Sequence, residues 1–445
     1  MALLIRGGTL VRCDRAGTVG QGDLLVEGTR IRALGKVDLG RGGQKRPRKE
    51  GPVHVIDATG CAVIPGFVQG HVHLCQVLFR GMADDLPLLD WLKQRIWPFE
   101  AAHDDRSLGA SAELGLLEMM LAGTTTILDM GTVHGYDVVF EACRKAGMRV
   151  FGGKTMMDAG ADVPKGLRET TAASLKEADR LRASWDGKDD GMLRYAYAPR
   201  FILSCTEKLF RETAARGANL HTHVSEHPVE RKTVEKLLGK SDFAKLREWG
   251  FKGPKTVLAH GVQLTDAEMK QAGKDGTRVT HCPSANLKLG SGIARVHAMK
   301  KAGIVVALGA DGAPCNNNLD PWVEMRHAAL LAKTLGPAGI TQLPAREAFE
   351  LATIEGAKAL GIDGETGSLE AGKRADVVVV RLDGPHVEPG GDPFSRLVYA
   401  CTSRDVEHVV ANGELVVWQG QHTRLDRERV LATARAEAKK LSSRV

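Results

Sequence analysis

The sequence predicts an α/β protein in which a closed (β/α)8 TIM barrel carries a small discontinuous β-sandwich built from both ends of the chain. Three observations predict it. Across residues 61–308, short apolar β-rich runs alternate with helical segments, the pattern of βα units around a parallel sheet. The two ends of the chain read as short strands with tight turns, and neither group is long enough for a sheet of its own. Polar residues gather at the downstream ends of the alternating runs, the end at which a barrel brings distant residues to one mouth. The expected division is 1–60 for the first part of the sandwich, 61–364 for the barrel, and 365–445 for the second part with a terminal helix.

In chain order, the first strands fall at 3–10, 23–26, 29–34 and 53–57, with Glu27-Gly28 at a hairpin. The eight barrel strands fall at 61–68, 124–130, 149–155, 194–198, 219–223, 256–259, 278–281 and 304–308. The connection 206–217 is tight and leaves about three turns for its helix. Segments 322–334 and 345–360 read as outer helices leading back to the sandwich. Its remaining strands are 376–381, 406–411 and 414–418, and Asn412-Gly413 supplies the two positive-φ residues of a tight hairpin.

Of the 445 residues, 43% are hydrophobic and 26% charged, which excludes disorder, collagen and coiled coil. No apolar run approaches the ~18 residues of a membrane helix. The opening Met-Ala-Leu-Leu-Ile-Arg-Gly-Gly meets Arg6 and two glycines before a signal-peptide core can form, so a soluble, untargeted chain is expected. The net charge of +7 is uneven. Arg41, Lys45, Arg46, Arg48 and Lys49 crowd one stretch, and seven basic residues against three acidic ones follow from Gln421. The rest is nearly neutral, so these read as a solvated loop and tail, and no nucleic-acid or membrane partner is expected. Eight cysteines with no C-x-x-C pair fit a reduced, cytoplasmic chain.

The first barrel strand ends in His71-Val72-His73, and the fifth in His221-Thr222-His223-Val224-Ser225-Glu226. The sixth ends in His260, the seventh in His281, and the eighth runs into Asp311. Each is weak alone: His260 would ordinarily be a buried, hydrogen-bonded imidazole, and Asp311-Gly312 a turn. Together they offer three neutral imidazoles and a carboxylate, a suitable set for one divalent metal with a position left to water. Zn²⁺ fits, and Fe²⁺ or Mn²⁺ would also suit His₃Asp. His221 shares a face with His223 and competes with it as the fifth-strand ligand. The spacing to Glu226, whose carboxylate can lean over the site, favours His223. His281 either lines the pocket or shapes its wall. The other nine histidines fall in loops, helices or the sandwich and read as structural or solvated.

The segment from Ile64 to His73, the His223/Glu226 pair, Ala259-His260-Gly261 and Leu308-Gly309-Ala310-Asp311-Gly312 resemble the amidohydrolase superfamily. Within it they resemble the deaminase branch of methylthioadenosine/S-adenosylhomocysteine deaminases, guanine deaminases and s-triazine hydrolases. The stretches 78–92, 281–289 and 312–320 are most similar to 5′-deoxyadenosine deaminases. The resemblance implies a metal held by His71, His73, His223 and Asp311, with Glu226 and His260 handling protons and Asp311 joining them. It implies Trp91 as a wall against the base and Glu100 as an acceptor for ribose hydroxyls. The reaction implied is hydrolytic deamination of an adenosine-type nucleoside, in a homo-oligomer.

Two residues depart from the adenosine pattern. Pro199-Arg200-Phe201 stands where Pro-His is typical, and Gln76 lies three residues past the H-x-H pair, both as in guanine deaminases. Arg200, which carries only donors, should face acceptors on the substrate. Guanine deamination and s-triazine hydrolysis are therefore the alternatives, and a non-catalytic binding module on a decayed barrel is the rival from another class.

Overall fold

A computed structural model describes residues 2–37 and 53–445. The basic cluster of Arg41, Lys45, Arg46, Arg48 and Lys49 lies outside the described residues.

Eight parallel strands close on themselves. In order they are Phe67–Val72, Thr124–Met130, Arg149–Gly153, Leu193–Pro199, Asn219–Val224, Thr256–His260, Arg278–His281 and Val306–Leu308. Each pairs with the next, and Leu308 of the eighth returns to Gln69 of the first. Parallel pairing requires a crossover between successive strands. The tight connection after the fourth strand is met by the helix Glu207–Ala214, capped by Thr206, whose Oγ1 accepts from Leu209 N at 3.1 Å.

A second, mixed sheet draws on both ends of the chain. It runs Gln421–His422, Glu414–Trp418, Val406–Ala411, Val377–Arg381, Cys61–Pro65, Ala2–Val11, Val19–Glu27 and Arg30–Gly35, with Val53–Asp57 also paired to Ala2–Val11. The Asn412-Gly413 hairpin forms as expected, with φ of 49° and 82°.

Three expectations are corrected. Segment 61–68, read as one barrel strand, is two. Cys61–Pro65 pairs with Val377–Arg381 in the outer sheet, and the barrel strand begins at Phe67. The ladder changes partner at Gly66, whose N–H donates to Asp376 O of the outer layer, while Phe67 N–H donates to Gly123 O of the barrel. A Cβ on Gly66 would lie 2.2 Å from Thr125 Oγ1, so only glycine passes there. Segment 149–155 breaks after Gly153, and Thr155–Met156 pairs separately with the fourth strand. The outer helix 345–360 is likewise two, Ala345–Leu351 and Ile354–Leu360. Ala352 O, which would continue the helix, accepts instead from Val68 N of the barrel at 2.8 Å, and Thr353 leaves helical geometry.

The two layers meet at a buried ion pair. Arg149 Nη1, at the start of the third strand, donates to Asp376 Oδ2 at 2.5 Å. Asp376 also accepts from Thr366 Oγ1 and from Asn412 N of the hairpin. Among the described residues, no helix is long and apolar enough to cross a membrane.

Candidate metal centre and active site

The downstream strand ends converge as the barrel requires. One ligand atom from each of His71, His223, His260 and Asp311 lies within 4.8 Å of the others. His73 joins them: its Nε2 is 3.3 Å from His223 Nε2 and 3.4 Å from Asp311 Oδ1. Three of these strand ends turn sharply, with positive φ at Ser225 (47°), His260 (74°) and Asp311 (63°). Such conformations cost about 1–3 kcal/mol each and persist only where the surroundings hold them. Asp311 is held by its N–H to His71 O at 3.1 Å, and Ser225 by its Oγ donating to buried Asp242 at 2.7 Å. Glu226 N–H donates to the buried carboxylate of Glu230 at 3.1 Å.

Hydrogen bonding decides the tautomer of each ring. A carbonyl oxygen only accepts, so a ring nitrogen against one carries the proton. His73 Nδ1 faces Met130 O at 2.7 Å and His223 Nδ1 faces Arg200 O at 2.8 Å. Their Nε2 atoms are therefore bare. His71 Nδ1 meets His221 Nε2 at 2.7 Å, while His221 Nδ1 donates to Val257 O at 2.8 Å. The bare Nε2 of His221 accepts from His71, which leaves His71 Nε2 bare too. That atom is buried without a hydrogen-bond partner and 3.3 Å from Asp311 Oδ1. Three imidazole lone pairs facing one carboxylate repel one another unless a cation lies among them, so the donor set fits a divalent metal. Burial keeps these rings neutral: it pushes His73 down to about 3, and His71 and His223 also below the usual histidine range.

Glu226 and His260 stand beside this centre. His260 Nδ1 is 3.0 Å from Asn286 Oδ1, and its unpartnered Nε2 is 3.5 Å from Glu226 Oε2 and 3.9 Å from Asp311 Oδ2. Burial first, and then the carboxylates of Asp311 and Glu230, hold Glu226 well above the usual carboxylate range. That environment favours its protonated form. A cleft opens over these groups, walled by Leu88, Trp91, Leu92, Phe201 and Leu289, with Arg200 among its polar residues. Trp91 is buried and its Nε1 has no partner.

The other predicted binding residues form a layer of their own. Glu100 is buried and both its oxygens already accept from the protein: Oε2 from Arg200 Nη1 at 2.5 Å and Oε1 from Gln76 Nε2 at 2.8 Å. Gln76 Oε1 is buried without a partner. It occupies the place a side chain on residue 312 would need, since a Cβ on Gly312 would lie 2.1 Å from it. His281 is buried, with Nδ1 unpartnered and its pKa pushed down to about 3 by burial. Sequence reading missed Asn286, Glu230, Asp242 and the bond between His221 and His71. Asn286 lies within the distinctive stretch 281–289, whereas no sequence signal marks the others.

Bare imidazole nitrogens and a carboxylate converging at a barrel mouth form a cluster that could hold a metal ion. The chain belongs to the amidohydrolase family, whose model matches residues 62–416. It is 38% identical over 431 residues to a 5′-deoxyadenosine deaminase of Methanothermobacter thermautotrophicus, covering 96% of each chain. It is 36% identical to a 5-methylthioadenosine/S-adenosylhomocysteine deaminase of Halobacterium salinarum, covering 99% of this chain and 98% of the relative. Among solved structures, an adenosine deaminase from Xanthomonas campestris with bound zinc superposes with a TM-score of 0.90 at 29% identity, over 99% of this chain and 98% of that one.

Proposed function

We propose that this hydrolase deaminates adenosine-type nucleosides such as 5′-deoxyadenosine, adenosine, methylthioadenosine or S-adenosylhomocysteine, releasing ammonia and an inosine-type product. The observation that carries the chemistry is Glu226, a buried acid beside the metal centre at the base of an apolar cleft. The relatives named as nucleoside deaminases, similar over nearly the whole chain, support the substrate class.

His71, His73, His223 and Asp311 would hold the ion. A divalent metal there supplies Lewis-acid activation of water at neutral pH. Zinc is the ion proposed, with Fe²⁺ and Mn²⁺ as alternatives. Glu226 donates its proton to the ring nitrogen next to the amino-bearing carbon, making that carbon electron-poor. Asp311 accepts a proton from the attacking water, and His260 orients that water through Nε2. The water oxygen bonds to that carbon, and the C–N bond breaks as the departing amine takes the proton held by Asp311 and leaves as ammonia. The remaining hydroxyl proton passes to the Glu226 carboxylate as the C=O forms. Trp91 and the leucines around it exclude bulk water from the cleft. A homo-oligomer, on family resemblance, and a cytoplasmic location, on the scattered cysteines, complete the proposal.

Arg200 in the cleft wall favours a second reading, guanine deamination, because its donors suit acceptors on the base. Ammonia release measured across the four adenosine analogues, guanine and triazines separates them. The nucleoside reading expects 5′-deoxyadenosine to be turned over far faster than guanine. A kcat/KM for guanine above that of every adenosine analogue would overturn it.

A further inference from the structure

We propose that His221 is a positioning residue for the metal centre: across the barrel, it locks His71 in the tautomer and orientation that leave Nε2 free for a cation. The inference rests on the metal reading of the site and assigns a role that the ligand set alone does not contain.

His221 and His223 point to the same side of the fifth strand, one layer apart. The structure divides their roles. His223 Nε2 lies 3.3 Å from His73 Nε2, in the ligand cluster. His221 Nε2 is spent on His71 Nδ1 at 2.7 Å, so it has no lone pair left for a metal. The ring of His221 is fully buried, and its hydrogen-bond partners are His71 and Val257 O. Among the described residues these are one carbonyl and one imidazole nitrogen, so the geometry sets which ring nitrogen carries the proton. Val257 O can only accept, so the single proton of His221 sits on Nδ1 and its Nε2 must accept. The proton between the two rings therefore belongs to His71.

The result is a relay from the backbone of the sixth strand, through His221 on the fifth, to His71 on the first. The three ligand rings differ in this respect. His73 and His223 are each oriented by a carbonyl within hydrogen-bond reach, Met130 O and Arg200 O. His71 Nδ1 is oriented by a side chain instead, and so can be uncoupled by a single substitution. A second imidazole suits the place because it accepts without adding charge, and its own remaining nitrogen is satisfied by Val257 O.

The test compares the parent, His221→Phe, His221→Gln and His71→Ala. Each protein is stripped of metal and titrated with Zn²⁺ against a chromophoric chelator. Removing an outer partner of a metal-bound histidine typically weakens metal affinity about 10–100-fold, and His221→Phe should fall in that range. His221→Gln, whose amide oxygen can accept from His71, should recover most of that loss. Parent-like affinity in His221→Phe would overturn the proposal, as would equal losses in the Phe and Gln variants, which would point to packing. Nitrogen-15 spectra of the histidine rings in the unmodified protein give a readout that needs no variant. The proton of His221 is expected on Nδ1 with Nε2 bare, and a protonated Nε2 would overturn the assignment. Failure of the parent itself to bind Zn²⁺ would instead strike the metal reading on which this role rests.

Discussion

Glu226 and Asp311 are both carboxylic acids at strand ends of one barrel, yet they are assigned opposite protonation states. Burial and two neighbouring carboxylates raise Glu226 and favour its protonated form, whereas Asp311 lies against the bare Nε2 atoms of His71 and His73 and is proposed as a ligand. If Glu226 is the proposed general acid, kcat/KM should hold on the acid side of its raised pKa and decline as pH rises through it. Glu226→Gln should keep its metal, measured by atomic absorption, and lose about 10²–10⁴-fold in kcat. A loss below tenfold would move the acid role to His260. Substrate choice divides at Glu100 and Arg200. If nucleosides are the substrates, Glu100→Ala should harm them selectively, either through lost contact with ribose hydroxyls or by releasing Arg200 from its buried pair. If guanine is the substrate, Arg200→Ala and Gln76→Ala should be the damaging changes. Steady-state kinetics of the three variants on both substrates decide.

At the scale of elements, the loops after the seventh and eighth strands are tied by one buried carboxylate. Glu324, on the helix Pro321–Ala332, accepts from Ser284 Oγ at 2.5 Å and from Asn316 Nδ2 at 2.9 Å. Asn316 in turn donates to Ala310 O, next to Asp311, and the helix that begins beside Ser284 carries Asn286, the partner of His260. Burial pushes Glu324 from an ordinary 4.5 up to about 7, its hydrogen bonds partly opposing that rise. A pKa raised by folding contributes stability that is complete below the unfolded value and lost as pH rises through the folded one. Unfolding free energy should therefore fall between about pH 5 and pH 8, and fall less in Glu324→Gln, as urea titrations at the two pH values would reveal. An identical pH slope in parent and variant would remove Glu324 from that role.

The molecule as a whole is held together where the barrel meets the outer sheet. Arg149 and Asp376 are both fully buried, and Asp376 also fixes the Asn412 hairpin and Thr366. Removing one partner of a buried pair leaves an uncompensated charge and typically costs about 3–5 kcal/mol. Arg149→Met should lose stability in that range by chemical denaturation, and adding Asp376→Asn should restore part of it. Independent, additive losses would show that the two do not act as a pair. The same junction explains the change of sheet at Gly66, since Asp376 supplies the carbonyl that takes the Gly66 N–H.

The sequence by itself determined the barrel, the sheet shared by both chain ends, and the strand-end positions of His71, His73, His223, Glu226, His260 and Asp311. These were legible because alternation of strand and helix, the two-residue spacing of H-x-H, and Asn-Gly turn chemistry are local properties of a chain. Spacing to Glu226 already favoured His223 over His221, but the task of His221, an accepting Nε2 for His71 Nδ1, emerged from the fold alone. That task depends on His71 and on Val257 O, groups from two other strands. The tertiary structure likewise decided that Glu100 is already engaged by Arg200 and Gln76, that the run at 61–68 serves two sheets, and that the helix at 345–360 breaks against Val68. In each case the deciding partner lies far away along the chain, and a hydrogen bond across a barrel leaves no periodicity in the sequence of either partner.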